Sequence, residues 1–118
     1  MCDNGRGKKL KAVTPKEILI FEDSSGKKPF IEWIEKLDKK TQARIEQRIL
    51  RLELGNYGDY KTLKNGISEL RFKFGSGYRV YFAEDGDKIV ILISGGDKST
   101  QAKDIKKAIE YWQEYKND

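Results

Sequence analysis

The sequence contains no histidine and a single cysteine, Cys2, among its 118 residues. Without histidine there is no imidazole to act as a general base, and neither a Ser-His nor a Cys-His nucleophile pair can form. One cysteine cannot make an intrachain disulfide, and the usual ligands of a zinc site are missing. Catalysis would therefore have to use carboxylates, lysine, arginine, tyrosine or backbone groups, and we expect neither a metal nor a cofactor.

Long apolar segments are also missing. No apolar run approaches the roughly 18 residues of a membrane-spanning helix, and the N-terminus lacks the apolar core of a signal peptide. These absences predict a cytoplasmic protein without a membrane partner. Residues 1–15 are polar and contain glycine, so we expect a disordered tail there and one domain over 16–118.

Charged and aromatic residues are abundant by contrast. The chain has 24 Lys or Arg against 19 Asp or Glu, a formal net charge of +5, and it contains two Trp, six Tyr and five Phe. The aromatic content argues against a wholly disordered chain. The positive balance favours an anionic partner, most commonly nucleic acid, although many lysine-rich domains bind no such partner.

The strongest structural pattern lies between Ile67 and Gly96. Alternating apolar and polar residues, interrupted by glycine-containing turns at 75–77 and 84–87, predict three consecutive antiparallel strands over 67–74, 78–83 and 88–94. The alternation assigns one set of side chains to a core face: Leu70, Phe72, Phe74, Tyr78, Val80 and Phe82. It assigns the others to the opposite face: Glu69, Arg71, Lys73, Arg79 and Tyr81.

The remaining elements follow from shorter signals. Residues 16–23 predict a first strand, Pro29 opens a helix over 30–37, and Asp38 is placed to cap a helix over 39–54. Residues 56–66 are predicted as a loop, and an amphipathic helix ends the chain near Tyr115. The order β-α-α-β-β-β-α predicts an α+β fold in which an antiparallel sheet packs against a helical hairpin that covers one face.

Several motifs occur together in a fixed order. They are an F-x-x-W-I helix at 30–34, Leu70-Arg71, Gly75-Ser76-Gly77-Tyr78-Arg79, Gly95 to Ser99, and Tyr111-Trp112. This pattern resembles the RelE/HigB-type toxins of bacterial type II toxin–antitoxin modules, in particular the phage-related addiction module killer branch of the RelE/ParE superfamily. The resemblance covers roughly residues 16 to 115. It implies a RelE/ParE-like α+β domain with a basic concave sheet, cleavage of mRNA on the ribosome, and a cognate helix-turn-helix antitoxin that blocks this surface.

Cations are the candidates for this chemistry. Cleavage of RNA without a metal proceeds by attack of the 2′-hydroxyl on the adjacent phosphate, and arginine or lysine can hold and stabilise that phosphate. The candidate catalytic residues are Arg71, Lys73, Arg79 and Lys98. By the resemblance, Arg79 matches the arginine at the scissile phosphate, whereas Arg71 and Lys73 correspond only approximately to two strand lysines. The same side chains are also typical of the solvated face of a one-sided sheet.

Four further residues are candidates for binding RNA. Lys61 and Lys64 in the predicted loop could contact phosphates, and Tyr81 and Tyr111 could stack on bases. Helical spacing favours a core position for Trp112. Two other activities stay open: a toxin-fold protein that binds DNA gyrase without catalysis, and a phage-derived nucleic-acid-binding module that cleaves nothing.

Overall fold

A five-stranded mixed sheet organises the computed structural model, which describes residues 15–96 and 98–117. The strands are β1 (Glu17–Ile20), β2 (Tyr60–Thr62), β3 (Ile67–Arg71), β4 (Arg79–Asp85) and β5 (Lys88–Gly95). Their order across the sheet is β1-β5-β4-β3-β2. Strand β1 runs parallel to β5, and the other neighbours are antiparallel. The predicted tail lies outside the described residues except for Pro15.

Three helices accompany the sheet: α1 (Pro29–Ile34), α2 (Lys39–Leu50) and α3 (Gln101–Lys116). Pro29 occupies the first turn of α1, where its missing N–H would have had no helical partner. Asp38 caps α2 by accepting a hydrogen bond from the backbone N–H of Thr41 at 3.2 Å. Single 3₁₀ turns occupy Arg51–Leu54, Lys64–Gly66 and Lys98–Thr100.

Helices α1 and α2 cover one face of the sheet, as the alternation predicted. The core on this face is built by the following buried residues: Phe30, Ile34, Ile45, Ile49, Leu52, Leu70, Phe72, Val80, Phe82, Ile89 and Ile91. Phe74 and Tyr78 pack against it while half-buried. The assignment of alternate residues in β3 and β4 to a core face is therefore confirmed.

Helix α3 covers the opposite face, which was expected to be left open. The buried residues of this second core are Phe21, Ile67, Tyr81, Ala83, Val90, Leu92, Ala108 and Trp112. The sequence of strand β5 explains the arrangement. Its continuous apolar run places large apolar side chains on both faces of the sheet, so both faces need to be covered. The core position predicted for Trp112 is confirmed, and the one-sided sheet is a wrong prediction.

The predicted topology also needs two corrections. The sheet is mixed and not antiparallel throughout, because β1 pairs with the distant strand β5 in the parallel direction. Strand β2 lies within the segment predicted as a loop; it is three residues long and fully exposed, so it carries no apolar alternation. The remaining elements were found with shifted ends: for example, β3 ends at Arg71 and α2 at Leu50.

Candidate functional site

Arg79 lies at the start of β4, between two neighbouring strand ends. Its Cα partners are Arg71 at the end of β3 and Gly95 at the end of β5. The expectation that Arg71 and Arg79 share one face is confirmed, since directly paired residues project to the same side of a sheet. The Arg79 side chain is only 15% exposed, and its Nε lies 3.5 Å from Glu69 Oε2.

Glu69 belongs to a group of buried polar side chains beneath the first turn of α3. Its side chain is 0% exposed, and Gln101 Nε2 donates a hydrogen bond to Glu69 Oε2 at 2.8 Å. Tyr81, the direct Cα partner of Glu69, buries its hydroxyl in this region. Burial and the nearby Glu69 carboxylate raise the pKa of Tyr81, so its hydroxyl stays neutral. We call Glu69, Arg79, Tyr81 and Gln101 the buried network.

Close contacts between side chains and the backbone form one side of the buried network. A Cβ at Gly95 would collide with the carboxylate of Asp104 in the first turn of α3, so a larger residue would require that carboxylate to move. In the turn before β4, Ser76 Oγ donates to the Gly96 carbonyl, and Arg79 Nη1 donates to the Gly77 carbonyl at 3.1 Å. The turn, β5 and the start of α3 therefore meet around the Arg79 guanidinium.

Arg71 faces Arg79 but makes its ion pair elsewhere. Its Nη2 lies 3.4 Å from Asp59 Oδ1, and 43% of the Arg71 side chain is exposed. Lys73, two residues beyond the end of β3, is also exposed. Both residues line a cavity of about 560 Å³ at the end of the sheet beside α2. We call it the basic cavity, and its lining is Arg44, Gln47, Arg48, Arg51, Asp59, Arg71, Phe72, Lys73 and Phe74.

The arginines of α2 give the basic cavity its wall. Arg48 Nη1 donates to the carbonyl of Arg71 at 2.7 Å, and its Nη2 donates to the carbonyls of Asp59 at 2.8 Å and Tyr57 at 3.3 Å. Partial burial lowers the pKa of Arg48, which nevertheless stays protonated at neutral pH. Arg48 is therefore bound to the backbone and holds the wall, whereas Arg44 and Arg51 are exposed.

The other predicted catalytic residue and the predicted RNA contacts are dispersed. Lys98 is exposed in the 3₁₀ turn before α3, and its neighbour Asp97 lies outside the described residues. Lys61 lies on the edge strand β2 and Lys64 in the following turn, both exposed. Of the two tyrosines predicted to stack on bases, only Tyr111 keeps that role as a prediction.

The two tyrosines lie in the second core instead of on an open surface. Tyr81 has no exposed surface, so no base can stack on its ring in this structure. Tyr111 is half-buried with its ring 4.9 Å from that of Phe21. It follows Gln101 by ten residues, which places it about 15 Å further along α3. Tyr111 is therefore remote from Arg79.

Sequence reasoning missed two components of the site. It gave no role to Arg44, Arg48 and Arg51, although their spacing of four and three residues puts them on one helical face. That spacing is the signal that could have identified the cavity wall. Glu69 and Gln101 carried no such signal, because they meet only through the packing of α3 on the sheet.

Within residues 15–96 and 98–117, no three His, Cys, Asp or Glu residues are grouped so as to hold a metal ion. No helix in this part of the chain is both long and apolar enough to cross a bilayer.

One protein family and one further protein are similar to this chain. The family model described as phage derived protein Gp49-like (DUF891) matches residues 32–114. A Haemophilus influenzae protein, described only as an uncharacterized protein, is 51% identical over 80 residues, which cover 67% of this chain and 81% of that protein. The family match includes α2, the strands β2 to β5 and most of α3. It therefore spans both the buried network and the basic cavity.

Proposed function

Because the chain belongs to the phage-derived Gp49-like family, a family of toxins from toxin–antitoxin modules, we propose that it is an mRNA endoribonuclease that acts on the ribosome. A cognate helix-turn-helix antitoxin would keep it inactive in the cytoplasm. The observation that carries the proposal is the direct pairing of Arg79 with Arg71 at a sheet end that opens into the basic cavity. A polyanion with regularly spaced phosphates fits such a row of cations.

The proposed reaction needs no group that the sequence lacks. The 2′-oxygen attacks the adjacent phosphorus and the bond to the 5′-oxygen breaks, which leaves a 2′,3′-cyclic phosphate and a 5′-hydroxyl. Negative charge that develops on the phosphate oxygens is stabilised by the guanidinium of Arg79. The Gly77 carbonyl accepts a hydrogen bond from Nη1 and the Glu69 carboxylate lies 3.5 Å from Nε, so the guanidinium is held in place before the substrate binds.

Proton transfer falls to the lysines in this proposal. Lys73 follows the end of β3, and Lys98 follows the end of β5. They therefore lie at the same end of the sheet as Arg79, which begins the strand β4 between them. One lysine would take the proton from the 2′-hydroxyl, and the other would donate a proton to the departing 5′-oxygen. Arg71, paired with Arg79, would hold the phosphate next to the scissile one.

Induced expression in bacteria tests the assignment of Arg79. Wild type should arrest growth, and primer extension on mRNA should show new 5′ ends within coding regions. Arg79→Ala should lower cleavage by roughly 10²–10³-fold, the usual loss when one transition-state stabiliser is removed. Arg79→Lys keeps a positive charge beside Glu69 but loses the bidentate fork, so it should fold and still cleave poorly.

Other outcomes of this experiment point to the other activities. Growth arrest with intact mRNA and inhibited supercoiling would favour gyrase binding. RNA affinity with intact RNA and no growth arrest would favour a module that only binds nucleic acid. Cleavage that is unchanged in both Arg79 variants would overturn the catalytic assignment.

A further inference from the structure

The basic cavity holds much of the chain's excess positive charge in one place. Five cations and one carboxylate line it, which gives a formal charge of +4, and the whole chain has +5. Within the described residues, Arg44, Arg51 and Lys73 have no carboxylate within ion-pair distance. Like charges held this close repel one another, so the arrangement is unfavourable until an anion enters.

Two of the five cations lie against aromatic rings. The Arg44 guanidinium lies 3.7 Å from the centre of the Phe74 ring, and that of Arg48 lies 5.0 Å from the centre of the Phe72 ring. These cation–π contacts restrict the side chains before any ligand binds. Four of the five cations are arginines, whose planar fork matches two oxygens of a phosphate group. The cavity is therefore preorganised for an oxyanion.

The cavity adjoins Arg79 through the paired residue Arg71. Arg71 lines the cavity and is also the direct Cα partner of Arg79 across the β3–β4 ladder. A ligand that binds at both places must carry several negative charges along one chain. The volume of about 560 Å³ is in the range of small-molecule sites, so it admits nucleotides of a single strand and is too small for a duplex.

We propose that the basic cavity is a second phosphate-binding site, in which Arg44 and Arg51 bind the backbone of single-stranded RNA beside the phosphate held by Arg79. Arg48 positions this site through its backbone hydrogen bonds and does not bind the ligand. The inference rests on the proposed function for the choice of RNA among polyanions. The site contributes to affinity for the RNA strand and not to the reaction at phosphorus.

Fluorescence anisotropy with a labelled single-stranded 2′-O-methyl RNA tests the site, since this probe has no free 2′-hydroxyl and cannot be cleaved. The double variant Arg44→Gln/Arg51→Gln should bind roughly tenfold more weakly than wild type. The slope of log affinity against log salt should become shallower by about 0.7 for each lost phosphate contact, about 1.4 for both. Arg44→Lys/Arg51→Lys should retain most of the salt slope, because the charges remain.

A matched variant controls for the change in net charge. Lys36→Gln/Lys106→Gln also removes two exposed positive charges, but neither residue lines the cavity. This variant should bind the probe within about twofold of wild type, because isolated exposed charges act weakly in salt. If it loses as much affinity as the arginine variant, the effect is one of net charge, and a specific site at the cavity is excluded.

The remaining outcomes separate the inference from the proposed function. Unchanged binding in the arginine variant, with wild type still cleaving mRNA, would overturn the cavity and leave the nuclease intact. Weakened binding in the variant, with no cleavage by wild type, would support the cavity and reject the nuclease. If polyglutamate competes as well as RNA of equal charge, the cavity is a site for an acidic protein segment, and the proposal of RNA is wrong.

Discussion

The two groups of cations at this end of the sheet differ in how their charge is compensated. In the buried network, Arg79 is largely enclosed and lies against Glu69, whose side chain has no exposed surface. In the basic cavity, five cations share the single carboxylate of Asp59, and that carboxylate already contacts Arg71. One group is therefore rigid and close to neutral, whereas the other is open and strongly positive.

This difference separates two functions, charge stabilisation and polyanion binding, that the alternation pattern had assigned to one face. Alternation assigned Arg71, Lys73 and Arg79 to one cationic face, but the structure divides them between the two groups. A fixed guanidinium suits charge stabilisation at a reacting phosphate, because it needs no reorganisation. An open set of cations suits long-range attraction and binding of a polyanion, which depend strongly on salt.

The largest effect on stability should come from breaking the Glu69–Arg79 pair. Glu69→Gln leaves the enclosed Arg79 guanidinium without its counter-charge, which should lower the free energy of unfolding by on the order of 3 kcal/mol. Urea unfolding followed by circular dichroism measures it. The double variant Glu69→Gln/Arg79→Met removes both charges and should recover most of this lost stability. It should still cleave mRNA as poorly as Arg79→Ala does.

That prediction would fail in an informative way. If Glu69→Gln unfolds at the same urea concentration as wild type, water screens the pair, and the contrast between an enclosed and an open group of cations disappears.

A smaller effect is expected at Arg48, which lines the cavity but binds the backbone. Arg48→Gln removes hydrogen bonds to the carbonyls of Tyr57, Asp59 and Arg71, which should cost about 2 kcal/mol of unfolding free energy. The exposed neighbour Arg51 provides the comparison, since Arg51→Gln should change stability by less than about 0.5 kcal/mol. Thermal or urea unfolding distinguishes the two.

The comparison between these arginines would be contradicted by the reverse result. A stable Arg48→Gln variant with weakened RNA binding, together with an unstable Arg51→Gln variant, would mean that the structural and the ligand-binding residues of α2 had been exchanged.

The smallest effect should follow the loss of the cavity's carboxylate. Asp59→Asn breaks a solvent-accessible ion pair with Arg71, so stability should change by no more than about 0.5 kcal/mol. RNA affinity should rise, because the cavity becomes more positive and Arg71 is released toward it. Anisotropy titration at low salt checks the direction, and weaker binding in this variant would indicate that Asp59 orients Arg71 for the ligand.

Much of the fold was predictable because its signals are local. The three strands from Ile67 onward follow from alternation and glycine turns, and the helices follow from period and caps such as Asp38. Strand β2 escaped prediction because three exposed residues at a sheet edge have no apolar pattern to read. The coverage of the second face was missed because Tyr81 and Glu69 were interpreted as polar residues facing water.

The candidate site was predictable only in its residue types. The absence of histidine directed attention to cations. Arg71, Lys73 and Arg79 lie at or just beyond strand ends at one end of the sheet, and Lys98 lies in the turn that follows β5. The sequence alone did not show which of these positive charges would have a carboxylate beside it. That depended on carboxylates contributed by other strands and loops, and a strand pattern does not report such partners.

By itself, then, the sequence determined the kind of chemistry available and most of the helices and strands, because composition and periodicity are properties of short segments. Only the tertiary structure decided which cations are enclosed and which are open. Gln101 contacts Glu69 across 32 residues, and Arg48 contacts the Arg71 carbonyl across 23. Contacts between such distant positions arise from the packing of α2 and α3 on the two faces of the sheet, and this packing separates a buried arginine from a basic cavity.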